Sequence, residues 1–329
     1  MAHNRISWFG GENWARLSQQ DQESLVGLEK KLQVVRDRVA GVAKGYHTGC
    51  AITGRGGTCK SWTVMHTLKE LDVHHRLHNS HMTARGLFDA FARAPSAVHV
   101  VEDAERVLRD PLSLGILRSA TWSSHDHEQT ERLITWHVHG AAPDIPFKGG
   151  IILINNRQLS DLPEARALAT RLSLVDLDVS DQEIAALMRQ VALQGYRLHA
   201  SILAPDECLE VAEYIIAESP QLNRPLDMRL LVNAFADRLQ ADDHDAGCTW
   251  QDLVASRLRG QPVVKEAIAS AGIRRQMKIQ ELAIAREVAG LPPQERLKIW
   301  KEKTGRSQAT LYRRLGELGQ NDARDLGMY

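Results

Sequence analysis

Apolar and polar positions along the first 180 residues change period from block to block. Between Gln22 and Gly45, Leu25, Leu28, Leu32, Val35 and Val39 fall on one stripe, the spacing of an amphipathic helix. CAITG, Cys50–Gly54, is a short apolar run and reads as a strand buried on both faces. Lys60–Leu71 returns to helical spacing through Trp62, Met65, Leu68 and Leu71. Further strands are predicted at VHHRLHNS (73–80), SAVHVVEDAE (96–105), GGIILINNRQ (149–158) and SLVDLDV (173–179). Between them TARGLFDAFARA (83–94), DPLSLGILRSATW (110–122) and LPEARALATRL (162–172) read as helices, and ERLITWHVHG (131–140) as a strand or hairpin. Strands alternating with helices predict an α/β domain whose parallel sheet is covered on both faces.

From about Ser180 the pattern is helical only. A serine cap with a carboxylate three residues on, Ser180 and Glu183, opens SDQEIAALMRQVALQG. Helices follow at 205–219 and 225–240, then a linker, Ala241–Gly247, and a helical, basic remainder. The expected organisation is an arm over 1–24, an α/β domain over 25–179, a helical segment over 180–241 and a small all-α domain over 248–329.

Between the first strand and its helix lies TGRGGTCKSWT, Thr53–Thr63. It approaches the phosphate-binding pattern G-x-x-x-x-G-K-[ST], with Gly54 opening it and Lys60 and Ser61 closing it. Strand, glycine-rich loop and helix is the context that pattern needs, because backbone N–H groups and a helix N-terminus then face the phosphates. Gly54, Gly56 and Gly57 supply backbone freedom, and Thr58, Cys59 and Trp62 complete the stretch. Lys60 would reach the terminal phosphates of ATP and Ser61 would hold Mg2+. Cys59 stands where glycine is usual, and a small side chain fits there if its φ is negative.

Three further stretches carry matching chemistry. Glu102 and Asp103 end an apolar strand, where one carboxylate can orient magnesium (Glu102) and the next can polarise the attacking water (Asp103). The usual order is Asp then Glu, and the inversion predicts slow hydrolysis. Asn155, or Asn156 beside it, ends a buried strand where an amide can orient the γ-phosphate. Arg171, with Arg166 second, precedes a strand from which a guanidinium could act on a neighbour's nucleotide. Arg229, early in a helix of the second domain, could touch the nucleotide from the lid side.

These pieces in this order resemble the AAA+ ATPases over roughly residues 25–240, and more loosely the AAA+ proteins carried by phages and mobile elements. The resemblance implies a parallel sheet with a helical lid, Mg-ATP bound between subunits, and a ring or spiral, often of six.

Overall charge adds nothing, since 41 Lys and Arg balance 41 Asp and Glu. Its distribution does. Over 274–314 eleven Lys and Arg face four Glu, the excess expected of a phosphate-backbone partner. The segment 292–318 reads as helix, turn at Gly305 and second helix, with Leu297, Trp300, Leu311 and Leu315 packing the two together. It resembles a helix-turn-helix, with Arg306, Ser307, Gln308, Thr310, Tyr312, Arg313 and Arg314 as candidate DNA contacts. The histidines of HHRLHNSH and the pair His137 and His139 lack metal-site spacing. Four cysteines without a C-x-x-C pair predict a reducing, cytoplasmic setting, and no apolar run is long enough to span a membrane. The expected activity is ATP hydrolysis between subunits coupled to an action on DNA. The alternatives are a nucleotide-gated DNA-binding assembly with little hydrolysis, or a remodeller of a client protein recruited through the basic tail.

Overall fold

The computed structural model describes residues 13–79, 82–122, 131–136, 144–243, 246–260, 280–304, 308, 310–312, 314–316 and 318. The chain falls into two compact units, 1–259 and 260–329.

In the larger unit the helix α1 (Gln19–Ala43) is capped by Ser18, whose side chain accepts from the Asp21 N–H, and buries the stripe from Leu25 to Val39. There follow β1 (Gly49–Thr53), α2 (Lys60–Glu70), β2 (His75–His78), α3 (Ala84–Arg93), β3 (Val98–Glu102) and α4 (Pro111–Ala120). Next come a short antiparallel pair, β4 (Arg132–Ile134) and β5 (Ile145–Phe147), then β6 (Gly150–Asn155), a single turn α5 (Arg166–Ala169) and β7 (Ser173–Asp176). Five of these strands form one parallel sheet in the order β2-β3-β6-β1-β7. The expectation of an α/β fold built on a parallel sheet flanked by helices is met.

The period of two within the strands explains both faces of the sheet. Cys50 and Ile52, Val98 and Val100, and Ile152 and Ile154 pack into the core shared with α1 and α2. Their alternates Ala51, Val101, Ile151 and Leu153 pack into a second core with α3 and α4. With each fully buried Leu, Ile or Val contributing about 1.5–3 kcal/mol, the near-continuous apolar runs suit a sheet hidden on both sides.

A helical layer completes the unit: α6 (Asp181–Ala192), α7 (Pro205–Gln221), α8 (Met228–Asp242) and α9 (Trp250–Gly260). The Ser180–Glu183 capping box is present at the start of α6. Between α6 and α7 lies a hairpin absent from the sequence reading, β8 (Tyr196–Leu198) paired with β9 (Ser201–Leu203). The boundary also differs from the one expected. Helix α9 begins just after the predicted linker but buries Trp250, Val254 and Leu258 in the larger unit's core.

The smaller unit gathers helical residues 280–288 (α10), α11 (Pro293–Thr304) and helical residues between 308 and 318. Trp300 and Leu311 are buried with Ala285 and Val288, and Leu297 and Leu315 pack against them. No helix among the described residues is long and apolar enough to cross a membrane.

Candidate functional site

The chain leaves β1 through α2 to the far edge strand β2, while β7 lies on the other side of β1. Connections therefore diverge at the C-terminal end of β1, and open parallel sheets bind ligands in that crevice. A pocket of about 620 Å³ opens there. Its floor is Gly57–Trp62, its sheet wall Glu102, Asp103, Asn155 and Asn156, and its far wall Val191 of α6 with Met228, Arg229 and Val232 of α8. Most of the residues singled out between Gly57 and Asn155 thus meet in one place, and Arg229 joins them.

Glycine is required at two positions of the loop. At Gly54, with φ of 143°, a Cβ would stand 2.4 Å from the Leu177 carbonyl oxygen. At Gly57, with φ of 74°, a Cβ would meet the Asp227 carboxylate oxygen at 2.2 Å. Gly56 lies under Arg229, whose Nη1 is 3.9 Å from the corresponding Cβ position. Thr58 is buried and donates its hydroxyl to the Arg55 carbonyl at 2.9 Å, so it braces the loop.

Cys59 departs from expectation. It is the N-cap of α2 with φ of 62°, in the left-handed region, not the negative φ anticipated for a side chain at this point. The turn into the helix demands that conformation whatever residue occupies it, so the cysteine carries the strain glycine would avoid. Burial, and then the Asp227 charge, push its thiol up to about 11.

Lys60 is buried at 6% exposure, with Nζ donating to the Gly54 carbonyl at 2.6 Å, the Arg55 carbonyl at 2.5 Å and Asn156 Oδ1 at 3.3 Å. Burial, followed by the nearby Arg229 charge, brings its pKa down to about 8, and the charges of Asp103 and Asp227 oppose the shift. Ser61, the next residue, is half-buried on the pocket wall.

The two acids and two amides divide their tasks. Glu102 ends β3 half-buried, while Asp103 is exposed, has φ of 48° and is the acid whose charge acts on Lys60. Asn155 is 2% exposed, donates Nδ2 to the Arg157 carbonyl at 2.9 Å, and leaves Oδ1 buried without a partner. Asn156, the second choice from sequence, is the amide that reaches Lys60.

Trp62 is 40% exposed at the pocket mouth and stacks on His66, with ring centroids 4.4 Å apart. Asp227 was not singled out from sequence. An Asp before a helix reads as a cap, and Asp227 is one, accepting from the Arg229 N–H at 2.7 Å. Its contact with Gly57 joins positions too far apart in the chain for any local pattern to reveal.

Arg171 is not in this pocket. It is exposed, donates to the Ala167 carbonyl, and lines a separate hollow of about 420 Å³ with Arg118, Trp122 and Leu133.

In the smaller unit Gln308 and Tyr312 are exposed and Thr310 is half-buried. Arg306, Ser307 and Arg313 lie outside the described residues. Arg314 does not face outward: its side chain is 12% exposed and pairs with Glu281 at 2.8 Å, clamping its helix to α10. Lys303 pairs with Glu287 at 2.7 Å, so part of the basic excess is internally neutralised. Among the histidines, His78 Nε2 and His99 Nδ1 stand 2.9 Å apart and His99 Nε2 is 2.9 Å from the Ala94 carbonyl. Burial lowers His99 to about 4, which leaves that ring neutral.

No protein-family model and no curated protein matches the chain.

Proposed function

We propose that the chain binds and hydrolyses Mg-ATP in the pocket at the end of β1, in the manner of an AAA+ ATPase, and couples this to an action on DNA. The observation that carries the reading is the convergence of Lys60 and Ser61, Glu102 and Asp103, Asn155 and Asn156, and Arg229 on one pocket at the C-terminal edge of a parallel sheet. The glycine-bearing loop feeding α2 then acts as a phosphate-binding loop, and α6–α8 as a lid.

The residues present suit the nucleotide and its metal. Loop N–H groups and Lys60 would take the phosphates, while Ser61 and Glu102 would hold Mg2+, which when bound neutralises phosphate charge. Asn155 lines this pocket and its Oδ1 is buried without a partner, so this amide would be the acceptor that orients water. Asp103 would take the proton from that water, and Arg229 would balance negative charge from the α8 side. Arg171, on its separate surface, would serve the site of a second copy.

The smaller unit supplies the DNA-binding half of the reading. Its helices surround Trp300, and the last of them presents Gln308 and Tyr312 outward. A nucleotide-gated assembly with little turnover is the second reading, favoured by the left-handed Cys59 and the inverted acids. ATP turnover of the full chain with and without duplex DNA tests both. Hydrolysis stimulated by DNA supports the first, and binding without turnover the second. Neither binding nor turnover would remove both.

A further inference from the structure

The loop after β1 is fastened to the start of α8 at several points. The Met228 N–H donates to the Gly57 carbonyl at 3.2 Å. Arg55 Nη1 pairs with Asp181 Oδ1 at 2.6 Å, and the same oxygen accepts from the Leu226 N–H at 3.1 Å. At the centre the Asp227 carboxylate lies against the Cα of Gly57, where a Cβ would come within 2.2 Å of Oδ1 and 2.8 Å of Oδ2. Oδ1 also accepts from the Arg229 N–H in the first turn of α8.

An acid is an unexpected neighbour for a glycine-rich loop that leads into a helix N-terminus. Its negative charge lies near enough to act on both Cys59 and Lys60. Phosphate groups brought to the same loop would face it as a like charge in a partly dehydrated pocket.

Resting on the nucleotide reading above, we propose that Asp227 is an internal competitor for the ligand's anionic groups. Its carboxylate, at the capped N-terminus of α8, lies against Gly57 of the loop, and the nucleotide must displace it. Displacement frees the Arg229 N–H and the first turn of α8. Occupancy of the loop is thereby passed to the helix that carries Arg229.

The test is ADP affinity of the full-length protein, wild type and Asp227→Asn, by equilibrium titration without magnesium. Asparagine keeps the cap and the size but removes the charge. This competition predicts roughly tenfold or greater tightening in the variant, since one like charge within a few ångströms is removed. It also predicts that amide exchange at the start of α8 rises on adding ADP to the wild type and is already raised in the variant. Asp227→Ser repeats the measurement if Asp227→Asn melts early. Unchanged or weaker ADP binding in a folded variant, with wild type binding normally, overturns the competition and leaves the nucleotide site standing. Failure of wild type and variants alike to bind ADP overturns both.

Discussion

Lys60 Nζ stands 3.3 Å from Asn156 Oδ1, so the loop after β1 is tied to the residue that follows β6. With the two loop carbonyls also accepting from it, the amine is held inside the loop, and burial and Arg229 lower its pKa to about 8. Phosphates would favour the charged form. Below pH 8 the lysine is already charged and nucleotide affinity should be flat. Above pH 8 binding must bring its own proton, and affinity should fall by up to about tenfold per unit. Calorimetric titrations at pH 8.5 in buffers of different ionisation enthalpy should show net proton uptake. For folding the sign is opposite: the unfolded chain holds more protons between pH 8 and the ordinary 10.5, so this group makes the empty protein more stable as pH rises through that window.

The left-handed Cys59 predicts a gain in stability on Cys59→Gly. Relief of positive-φ strain outweighs the added freedom of the unfolded chain, for a net gain of roughly 0.5–1 kcal/mol. Chemical denaturation should show the midpoint rising with an unchanged slope. Cys59→Val should lower it. A destabilised glycine variant would mean that thiol packing, not backbone strain, governs the position.

Arg314 and Glu281 hold the smaller unit together across its helices. Arg314→Ala should cost about 1–3 kcal/mol, since it removes a charge-assisted pair at a site where both side chains are nearly buried. Far-ultraviolet melting should show this as an earlier helical transition. The salt dependence of DNA binding, measured where the variant is folded, should keep the wild-type slope, because a paired guanidinium releases no counterions. A slope flatter by about one unit would place Arg314 on a phosphate.

Much of the fold was legible because strands buried on both faces write themselves as apolar runs, as in CAIT and IILIN, and because helix starts such as Ser180–Glu183 are local. The hairpin β8–β9 was not legible: its strands have three residues each and bury only Leu203. Nor was the attachment of α9, because an amphipathic helix does not declare which core its stripe enters. In the pocket the charged groups were legible from type and spacing. Cys59's φ was not, since a cysteine carries no signal for left-handed backbone. The contact of Asn156 with Lys60 was not legible either, since it depends on the turn after β6.

The attachment of α9 changes where the chain should be cut. A chain ending at Gly247 loses Trp250, Val254 and Leu258 from the core and should melt well below the full protein, by several kcal/mol. One ending at Gly260 keeps them. It should retain the melting transition of the larger unit and any nucleotide binding, and lose most DNA affinity in fluorescence anisotropy. Full DNA affinity in that shortened chain would assign the interface to the larger unit.

The measurement closest to the central claim is equilibrium binding of Mg-ATP to the full-length protein and to Lys60→Ala. The pocket at the end of β1 predicts one nucleotide per chain for the wild type. It predicts a loss of about a hundredfold or more in affinity for the variant, because Lys60 is the loop's point charge on the phosphates. Equal affinities in two folded proteins, or no binding by the wild type, would contradict a nucleotide site at this loop.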